Sequence, residues 1–500
     1  MVAHYPLADT FKLQSRPTAT KTIYLNFTGH VTTGTYWNDS GDITTKPYSF
    51  EGDATFSNNE LNQIQEIWDR VSECFSPFDV NVTTQEPPAS DLVNSGGSDT
   101  RWGIRVCIGE SNPSPAPGAG GVAYVGSFSW STDTPCFVFE SGPGVYGKYI
   151  ADATVHEVGH TLDLEHDGRI SPPEEYYEGH GSGPTGWAPH MGVSYYRNLV
   201  QWSKGEYLSA NNTEDDLAII STHNGFGYRP DDFASSQGTA ADIGGAAAGS
   251  VFNVRQNGVI EQRTDSDWFK ITAAAGALNL NAVGGPRNTM LDIKLDLYDA
   301  NGSLLVSNNP TADVVASISY TVPTGGGTYY VKIDGTGVGD PLATGYTDYS
   351  SLGQYRITGT YTTDGNPPPT NDVVAAYNVT TKTLTLTGDA GANSVTVTYQ
   401  SGLITVKGAS GTTVNSKTTD YTVSVPLQIS MTVDTQGGND TVVVTGARVK
   451  TMTVSLGDGN DTLRLNYCTV SFLSLNGGSG IDAYTTISSR VTRKTVTGVP

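Results

Sequence analysis

Apolar residues follow two patterns in residues 1–235 of the chain. Short, mainly apolar segments, which are typical of buried strands, occupy 22–27, 103–109, 121–128 and 135–140, and 78–84 (FDVNVTT) predicts another strand. Helices are predicted at about 57–75, where apolar residues recur at helical spacing, and at about 149–163. A third helix is predicted to begin at Thr213, because Asp216, three residues later, resembles the second residue of a capping box. This mixture predicts an α/β domain over residues 1–235.

The pattern changes after this region to an alternation of apolar and polar residues. Gly, Ala and Ser dominate 230–250, which is typical of a linker. Alternating segments separated by Gly and Asn turns then predict an antiparallel β-sandwich over residues 248–363. The proline-rich segment 365–372 predicts a second, stiff linker.

The last part of the chain repeats with a fixed period. Asp440, Asp461 and Asp482 stand 21 residues apart, each in a glycine-rich corner, and Asn393 marks an earlier degenerate copy. A fixed period with one turn per repeat predicts a stacked β-solenoid over 371–500. The chain is therefore predicted to be multidomain, with an α/β domain, a sandwich and a solenoid in that order.

Charge and composition limit the partners. The net charge of −22, from 28 basic and 50 acidic residues, disfavours nucleic acid and anionic membranes as partners. It suits a soluble extracellular protein, although the charge also fits a role in solubility alone. The chain has no apolar run of the roughly 18 residues that a membrane span requires. The N-terminus shows no signal peptide, so a secreted form would be the mature chain with an added Met.

The four cysteines have no CxxC spacing, which argues against a cysteine-based zinc site. Cys107 and Cys136 both lie in predicted strands. They are expected either to form one disulfide or to remain buried thiols.

The segment 155–168, VHEVGHTLDLEHDG, carries the candidate chemistry. His156 and His160 are four residues apart, so a helix places both imidazoles on one face, within reach of one metal. Glu157 lies beside the first ligand and can take a proton from a metal-bound water. His166 can join them only if the chain turns sharply after the helix. Three protein ligands with an open position are typical of catalytic zinc, whereas the alternative is two surface histidines on an amphipathic helix.

These residues resemble the metzincin pattern HExxHxxGxxH, which is followed by a methionine turn. The resemblance covers about residues 20–230 and implies a zinc peptidase with an α/β fold. Asp163 stands where the family has glycine, but aspartate tolerates a left-handed backbone conformation. The resemblance assigns Met191, in WAPHMGVSYY, to the methionine turn that forms an apolar floor under the metal.

Two further features follow from the same resemblance. A tyrosine after the methionine turn can act as a fifth ligand or stabilise the oxyanion. Tyr195 is assigned this role, with Tyr196 as the alternative, unless both tyrosines only pack. The segment AYVGSF, within 121–128, resembles the edge strand along which substrate pairs antiparallel.

Other polar residues near the motif leave alternatives open. His180 is a candidate for lining the cleft, and His190 lies next to the methionine of the turn. In a different clan of metallopeptidases the third ligand would be a glutamate, here Glu174 or Glu178, instead of His166.

The two predicted C-terminal modules also resemble known families. DSDWFKI at 265–271 and GTYYVKIDG at 327–335 resemble the pre-peptidase C-terminal domain of secreted bacterial proteases. This implies secretion and attachment to a cell surface or matrix, with a passive spacer as the alternative. Calcium-binding candidates in this segment, which could instead cap their own backbone, are Asp265, Asp267, Asp296 and Asp299.

The glycine-rich corners at 437–484 resemble the calcium-binding repeats of RTX proteins. The resemblance implies Ca²⁺ as a second cofactor, and its candidate ligands are Asp440, Asp458, Asp461 and Asp482. The alternative is that the corners only turn the chain.

Together these features predict a secreted, zinc-dependent endopeptidase that acts on protein or peptide substrates. Zinc would be held by His156, His160 and His166, with Glu157 as the general base. The competing hypothesis is an adhesin or surface-layer protein that carries a vestigial zinc-binding protease domain. The presence of Glu157 favours catalysis, because a purely structural zinc site needs no base.

Overall fold

The structure is a computed structural model that describes residues 5–50, 55–112, 115–140, 146–248, 250–285, 287, 289–363, 371–389, 391–409, 411–415 and 417–499. It consists mostly of β-sheet, arranged in several sheets, with few helices. The chain divides into two compact units. Unit 1 comprises Met1–Ile243 and Val254–Thr362, and unit 2 comprises Gly244–Asn253 and Thr363–Pro500. Across the described residues, no helix combines the length and apolar character needed to cross a bilayer.

The N-terminal part of unit 1 contains the α-helices and a mixed sheet. Its elements are β1 (Lys21–Asn26), β2 (His30–Thr32), β3 (Ile43–Thr45), α1 (Asn58–Cys74), β4 (Asn81–Thr83), β5 (Trp102–Ile108), β6 (Ser111–Asn112), β7 (Gly121–Val122), β8 (Cys136–Val138), α2 (Gly147–Thr161), β9 (Trp187–Pro189), β10 (Leu199–Gln201) and α3 (Asp216–His223). The central sheet has the order β4–β1–β5–β8–β7, and only β7, at its edge, runs antiparallel to its neighbour. Every residue of β1 is buried, including the polar Lys21, Thr22 and Asn26, as expected for an inner strand of a mainly parallel sheet.

Helix boundaries in this region follow local capping chemistry. Ser57 accepts a hydrogen bond from the Glu60 N–H, and the Glu60 side chain accepts one from the Ser57 N–H, so α1 opens with a capping box. The predicted capping box at Thr213 is wrong. Asp215 caps α3 instead, because its carboxylate accepts a hydrogen bond from the Ala218 N–H.

One prediction from an apolar run is also corrected. The expected strand at 121–128 contains only the two-residue β7, and a 3-10 turn follows at Ser127–Ser129. Gly126 lies between them with a φ of 73°, a left-handed conformation that ends an extended run. Phe128 is buried beyond the turn, whereas Val125 is exposed, so this segment is not the buried strand that its apolar run predicts.

All four cysteines are buried and free. The strand register pairs Val106 with Cys136 and Cys107 with Phe137. Because neighbouring residues of a strand point to opposite faces, Cys107 and Cys136 do not face each other. Of the two alternatives, the structure has buried thiols.

Residues 241–362 contribute two five-stranded sheets. The strands from here to residue 362 are β11 (Ala241–Asp242), β12 (Gly245–Ala248), β13 (Val251–Ile260), β14 (Asp267–Ala273), β15 (Gly276–Gly284), β16 (Ile293–Asp299), β17 (Leu304–Asn308), β18 (Ala316–Val322), β19 (Gly327–Gly335) and β20 (Gly353–Thr362). The sheet orders are β11–β14–β19–β16–β17 and β12–β13–β20–β15–β18. The segment 230–250, predicted as a linker, contains β11 and β12, because small residues can still pair at a sheet edge.

The α/β part of unit 1 is tied to these sheets by buried polar contacts. Glu73 is 1% exposed and accepts hydrogen bonds from the backbone N–H and the Nε2 of Gln354, at 3.0 and 2.7 Å. The Trp202 backbone N–H donates to Ser350 Oγ at 3.2 Å. Residues of the first two predicted domains therefore belong to one packed unit.

Unit 2 contains two further sheets, of seven and six strands. Its strands are β21 (Asp372–Asn378), β22 (Thr383–Thr387), β23 (Ser394–Gln400), β24 (Leu403–Gly408), β25 (Thr413–Val414), β26 (Tyr421–Ser424), β27 (Ile429–Asp434), β28 (Thr441–Thr445), β29 (Arg448–Ser455), β30 (Thr462–Asn466), β31 (Thr469–Asn476), β32 (Ala483–Ile487) and β33 (Arg490–Thr497). In the repeats, parallel pairing joins residues 21 positions apart, such as Val442, Leu463 and Tyr484. Most of the proline-rich segment 365–372 lies outside the described residues.

The repeat aspartates hydrogen-bond to the backbone of the preceding coil. The Asp440 N–H donates to Asp461 Oδ1 at 2.7 Å, and the Asp461 N–H donates to Asp482 Oδ1 at 2.9 Å. The Oδ2 atoms of all three are buried without a hydrogen-bond partner. Asp458 is exposed and accepts a hydrogen bond from Ser479 Oγ at 2.6 Å. These contacts explain the aspartates as chain-turning residues, and calcium binding by them stays a prediction.

This ladder makes a stability prediction. Asp461→Ala leaves the buried Asp440 N–H without an acceptor and should lower the free energy of unfolding by about 1–3 kcal/mol. Asp461→Asn retains Oδ1 and should cost less. Denaturant unfolding in calcium-free buffer, followed by circular dichroism, measures both. The exposed Asp458→Ala control should change stability by no more than about 0.5 kcal/mol, and an equal effect of the two alanine variants would refute the ladder's role.

Candidate metal centre

Helix α2 brings the first two candidate ligands together. His156 and His160 lie one turn apart on the same face, and their ring centroids are 4.8 Å apart. Most other residues of α2 are buried, so packing fixes the orientation of this face. The pair is therefore positioned by the helix itself.

A left-handed turn at the end of α2 brings in the third candidate. Asp163 adopts a φ of 80°, as its place in the motif suggested. The next N–H, from Leu164, then donates back to the Gly159 carbonyl at 3.1 Å. The Asp163 carboxylate also lies 2.9 Å from His223 Nδ1. The redirected chain places the His166 ring beside the histidines of the helix.

The three imidazoles converge on one point. One ring nitrogen from each of His156, His160 and His166 lies within 4.8 Å of the others. The Nδ1 atoms of the first two are 3.1 Å from the His190 carbonyl and 2.8 Å from the Leu164 carbonyl. A neutral ring that donates from Nδ1 presents the Nε2 electron pair to a metal. This donor set fits a zinc ion.

Burial keeps these rings in the form that a metal requires. It lowers the pKa of His156 well below the usual value, and the nearby His160 and His166 rings lower it further. Burial lowers the pKa of His160 to about 4. The rings are therefore neutral near pH 7, and a metal does not need to displace protons from them.

Glu157 lies beside the histidines against the edge of the sheet. It is 7% exposed, and burial raises its pKa to about 8. A divalent cation nearby would favour the ionised form. A Cβ atom added at Gly121 would lie only 2.6 Å from Glu157 Cγ and Oε1. The glycine of β7 therefore makes room for this carboxylate.

Met191 packs under the helix that carries the ligands. It is fully buried, and a Cβ atom added at Gly159 would lie 2.4 Å from its Sδ. Its carbonyl accepts a hydrogen bond from the Asp167 N–H at 2.9 Å, next to His166 in the chain. The glycine inside HEVGH thus allows this methionine to approach α2.

An open cleft of about 600 Å³ exposes the site. Its lining includes the three histidines, Glu157, both residues of β7, Tyr176 and Tyr195. Tyr196 does not line the cleft and is 68% exposed. The Tyr195 ring packs at 5.2 Å from the Tyr149 ring. Of the two predicted tyrosines, only Tyr195 is placed to meet a ligand.

The sequence interpretation missed Tyr176. Its ring centroid lies 4.4 Å from that of His166 and 6.0 Å from that of His156. The only local signal was its place in EYYEGH, ten residues after His166. That spacing has no fixed geometric meaning in a loop, so only the folded chain identifies it.

The remaining candidates lie elsewhere. His180 was a candidate for lining the cleft, but it does not line it. Its ring instead bonds to the Tyr177 hydroxyl at 2.8 Å and the Gly345 carbonyl at 2.6 Å. His190 is buried, and its ring packs at 4.6 Å from the Trp202 ring. Glu174 pairs with Arg169 at 2.9 Å and is not part of the histidine cluster.

Comparison with protein families and with curated protein sequences adds no relative. No protein-family model matches the chain, and no curated protein sequence is significantly similar to it. Functional inference for this chain therefore rests on the geometry of the three histidines, Glu157 and the cleft around them.

Proposed function

We propose that the protein is a zinc-dependent endopeptidase of the metzincin type. The observation that carries the proposal is the convergence of three neutral imidazoles beside Glu157, in a cleft open to solvent. Three nitrogen ligands with an accessible fourth position are typical of catalytic zinc, whereas structural zinc sites are closed by a fourth protein ligand. The α/β part of unit 1 would then be the catalytic domain.

The residues divide the chemistry between them. His156, His160 and His166 would hold zinc, which supplies a Lewis acid and an acidified water when bound. Glu157 would take a proton from the attacking water and deliver it to the leaving nitrogen. Tyr195 would donate a hydrogen bond to the oxyanion, since it lines the same cleft.

The edge of the central sheet supports a peptide as the substrate. Strand β7 is the last strand of the sheet, and both of its residues line the cleft. An extended peptide can add to such an edge through main-chain hydrogen bonds, which leave its scissile carbonyl near the histidines. A cleft along a sheet edge suits cleavage within a chain, hence an endopeptidase.

The proposal extends to the other modules. The two sheets that end at residue 362 would form the sandwich of a secreted protease, and unit 2 would form a solenoid. Both would stabilise the enzyme or attach it to a surface or matrix outside the cell. The acidic net charge of −22 suits such a location.

Replacing Glu157 tests the reaction. Glu157→Gln should retain one zinc per chain but lose activity by a factor of about 10²–10⁴, because the proton acceptor is removed while the histidines remain. Elemental analysis measures the zinc, and digestion of a mixed peptide library measures the cleavage. Glu110→Gln, a surface carboxylate paired with Lys46, is the control and should cleave like the wild type.

Two results would contradict the proposal. If Glu157→Gln cleaves as well as the wild type, Glu157 is not the general base. A zinc-loaded wild type that cleaves nothing would instead favour the adhesin or surface-layer hypothesis.

Replacing Asp163 tests how the third ligand is positioned. Asp163→Gly should have a zinc dissociation constant within a few-fold of the wild-type value, because glycine adopts a φ of 80° without strain. Asp163→Val should weaken zinc binding by about 5–30-fold, since a left-handed conformation costs about 1–2 kcal/mol. Competition with a chromogenic chelator measures both constants. Equal affinities for the two variants would show that the turn does not control the ligand.

A further inference from the structure

A second group of metal-compatible side chains lies in unit 1, remote in sequence from the histidines. It consists of five carboxylates, which we name the carboxylate cluster: Asp231, Asp232, Glu261, Asp265 and Asp267. Two of them precede β11, two lie between β13 and β14, and one opens β14. Two separate stretches of chain, 231–232 and 261–267, therefore bring acidic side chains to one place.

The carboxylate oxygens are close enough to share a cation. One oxygen each from Asp231, Glu261 and Asp265 lies within 4.8 Å of the other two. The same limit holds for one oxygen each from Asp231, Asp232 and Asp267. Asp231 belongs to both groups and so joins them into one site.

Two members are buried with oxygens that lack a partner. Glu261 is 1% exposed and Asp267 is 0% exposed. Neither carboxylate oxygen of Glu261 accepts a hydrogen bond, and Asp267 Oδ1 also has no partner. An unpaired buried carboxylate is costly, so these oxygens indicate a group that the protein chain itself does not supply.

The nearby positive charge does not balance the cluster. Arg229 Nε lies 3.5 Å from Glu261 Oε1, which is an ion pair without hydrogen-bond geometry. Among the described residues, this is the one ion pair that the five carboxylates make. Ionised carboxylates this close repel one another unless a cation lies between them.

Neighbouring groups hold the carboxylates in place. The Glu261 N–H donates to Asp265 Oδ2 at 3.1 Å, and Ser235 Oγ donates to Asp265 Oδ1 at 3.1 Å. The Tyr355 hydroxyl donates to Asp267 Oδ2 at 2.5 Å, which leaves Oδ1 for the cluster. Such contacts keep the oxygens preorganised for a ligand.

We propose that the carboxylate cluster binds Ca²⁺. Every available donor is an oxygen, which selects a hard cation over zinc. Oxygens on opposite sides of a calcium ion are about 4.6–5.2 Å apart, in keeping with the separations in the cluster. Calcium bound here fastens the segment after α3 to the β13–β14 connection and stabilises unit 1.

This site differs from the calcium candidates that the sequence suggested. Asp265 and Asp267 belong to it, but Asp299 caps the backbone N–H groups of Asn301 and Ser303 instead. The buried Asp296 lies 3.2 Å from Lys294 Nζ and is not in the cluster. The site also does not depend on the peptidase proposal, since it shares no residue with the histidine site.

The test is calcium-dependent melting of the full-length chain. After removal of divalent ions, Ca²⁺ at about 100 times its dissociation constant should raise the melting temperature of unit 1 by about 3–5 °C. Mg²⁺ should raise it less, because the cluster offers many carboxylates and Mg²⁺ retains its waters. Isothermal titration calorimetry gives the affinity and the number of sites.

Variants assign the effect to the cluster. Asp231→Asn, at an exposed position, should fold normally and weaken calcium binding by at least about tenfold, since Asp231 belongs to both groups. Glu261→Gln should abolish the calcium-dependent increase, because it removes the buried carboxylate whose two oxygens lack a partner. Without calcium its melting temperature should stay close to that of the wild type, since burial raises the pKa of Glu261 to about 10 and the side chain is then already neutral near pH 7.

Asp461→Asn is the matched control in the repeats and should leave the calcium response of unit 1 unchanged. The proposal is overturned if calcium leaves the melting temperature unchanged, as expected if protons or Arg229 alone neutralise the cluster. It is also overturned if Asp231→Asn and Glu261→Gln respond like the wild type while Asp461→Asn loses the response.

Discussion

The candidate metal centre depends on the left-handed turn at Asp163. The turn lets the Leu164 N–H bond back to the end of α2, and it carries His166 towards the two histidines of the helix. It also presents the Leu164 carbonyl to His160 Nδ1 at 2.8 Å. One backbone conformation therefore supplies the third ligand and orients the second. The motif tolerates aspartate there because its side chain gains a partner in His223.

Close packing, more than hydrogen bonding, sets the other boundaries of the site. A Cβ atom at Gly159 would clash with Met191 Sδ, and a Cβ atom at Gly121 would clash with the Glu157 side chain. The first contact holds the methionine segment against α2, and that segment provides the His190 carbonyl that orients His156. The second allows the carboxylate to lie against the sheet edge. Glycine at these positions reflects close approach between elements, since neither has a positive φ.

The success of sequence interpretation depended on how local each signal was. The pair His156 and His160 was predictable, because helical spacing alone fixes their common face. The 21-residue register of the repeats was predictable for the same reason, since each coil contacts the next. The strand expected at 121–128 is wrong because the chain turns at Gly126 after two paired residues. Tyr176 was missed because a ten-residue spacing within a loop has no fixed geometry. Asp265 and Asp267 were calcium candidates in the sequence, but Asp231 and Asp232 reach them only in the folded chain.

The two metal-compatible groups of unit 1 differ in the chemistry of their donors. The histidine site offers neutral nitrogens, which favour zinc, whereas the carboxylate cluster offers anionic oxygens, which favour calcium. A general chelator would strip both, so loss of activity after chelation would not by itself locate the catalytic metal. Under the two proposals, restoring calcium alone should recover the stability of unit 1, and restoring zinc should recover peptide cleavage. The separation follows from ligand type, because neither set of side chains contains the donors that the other ion prefers.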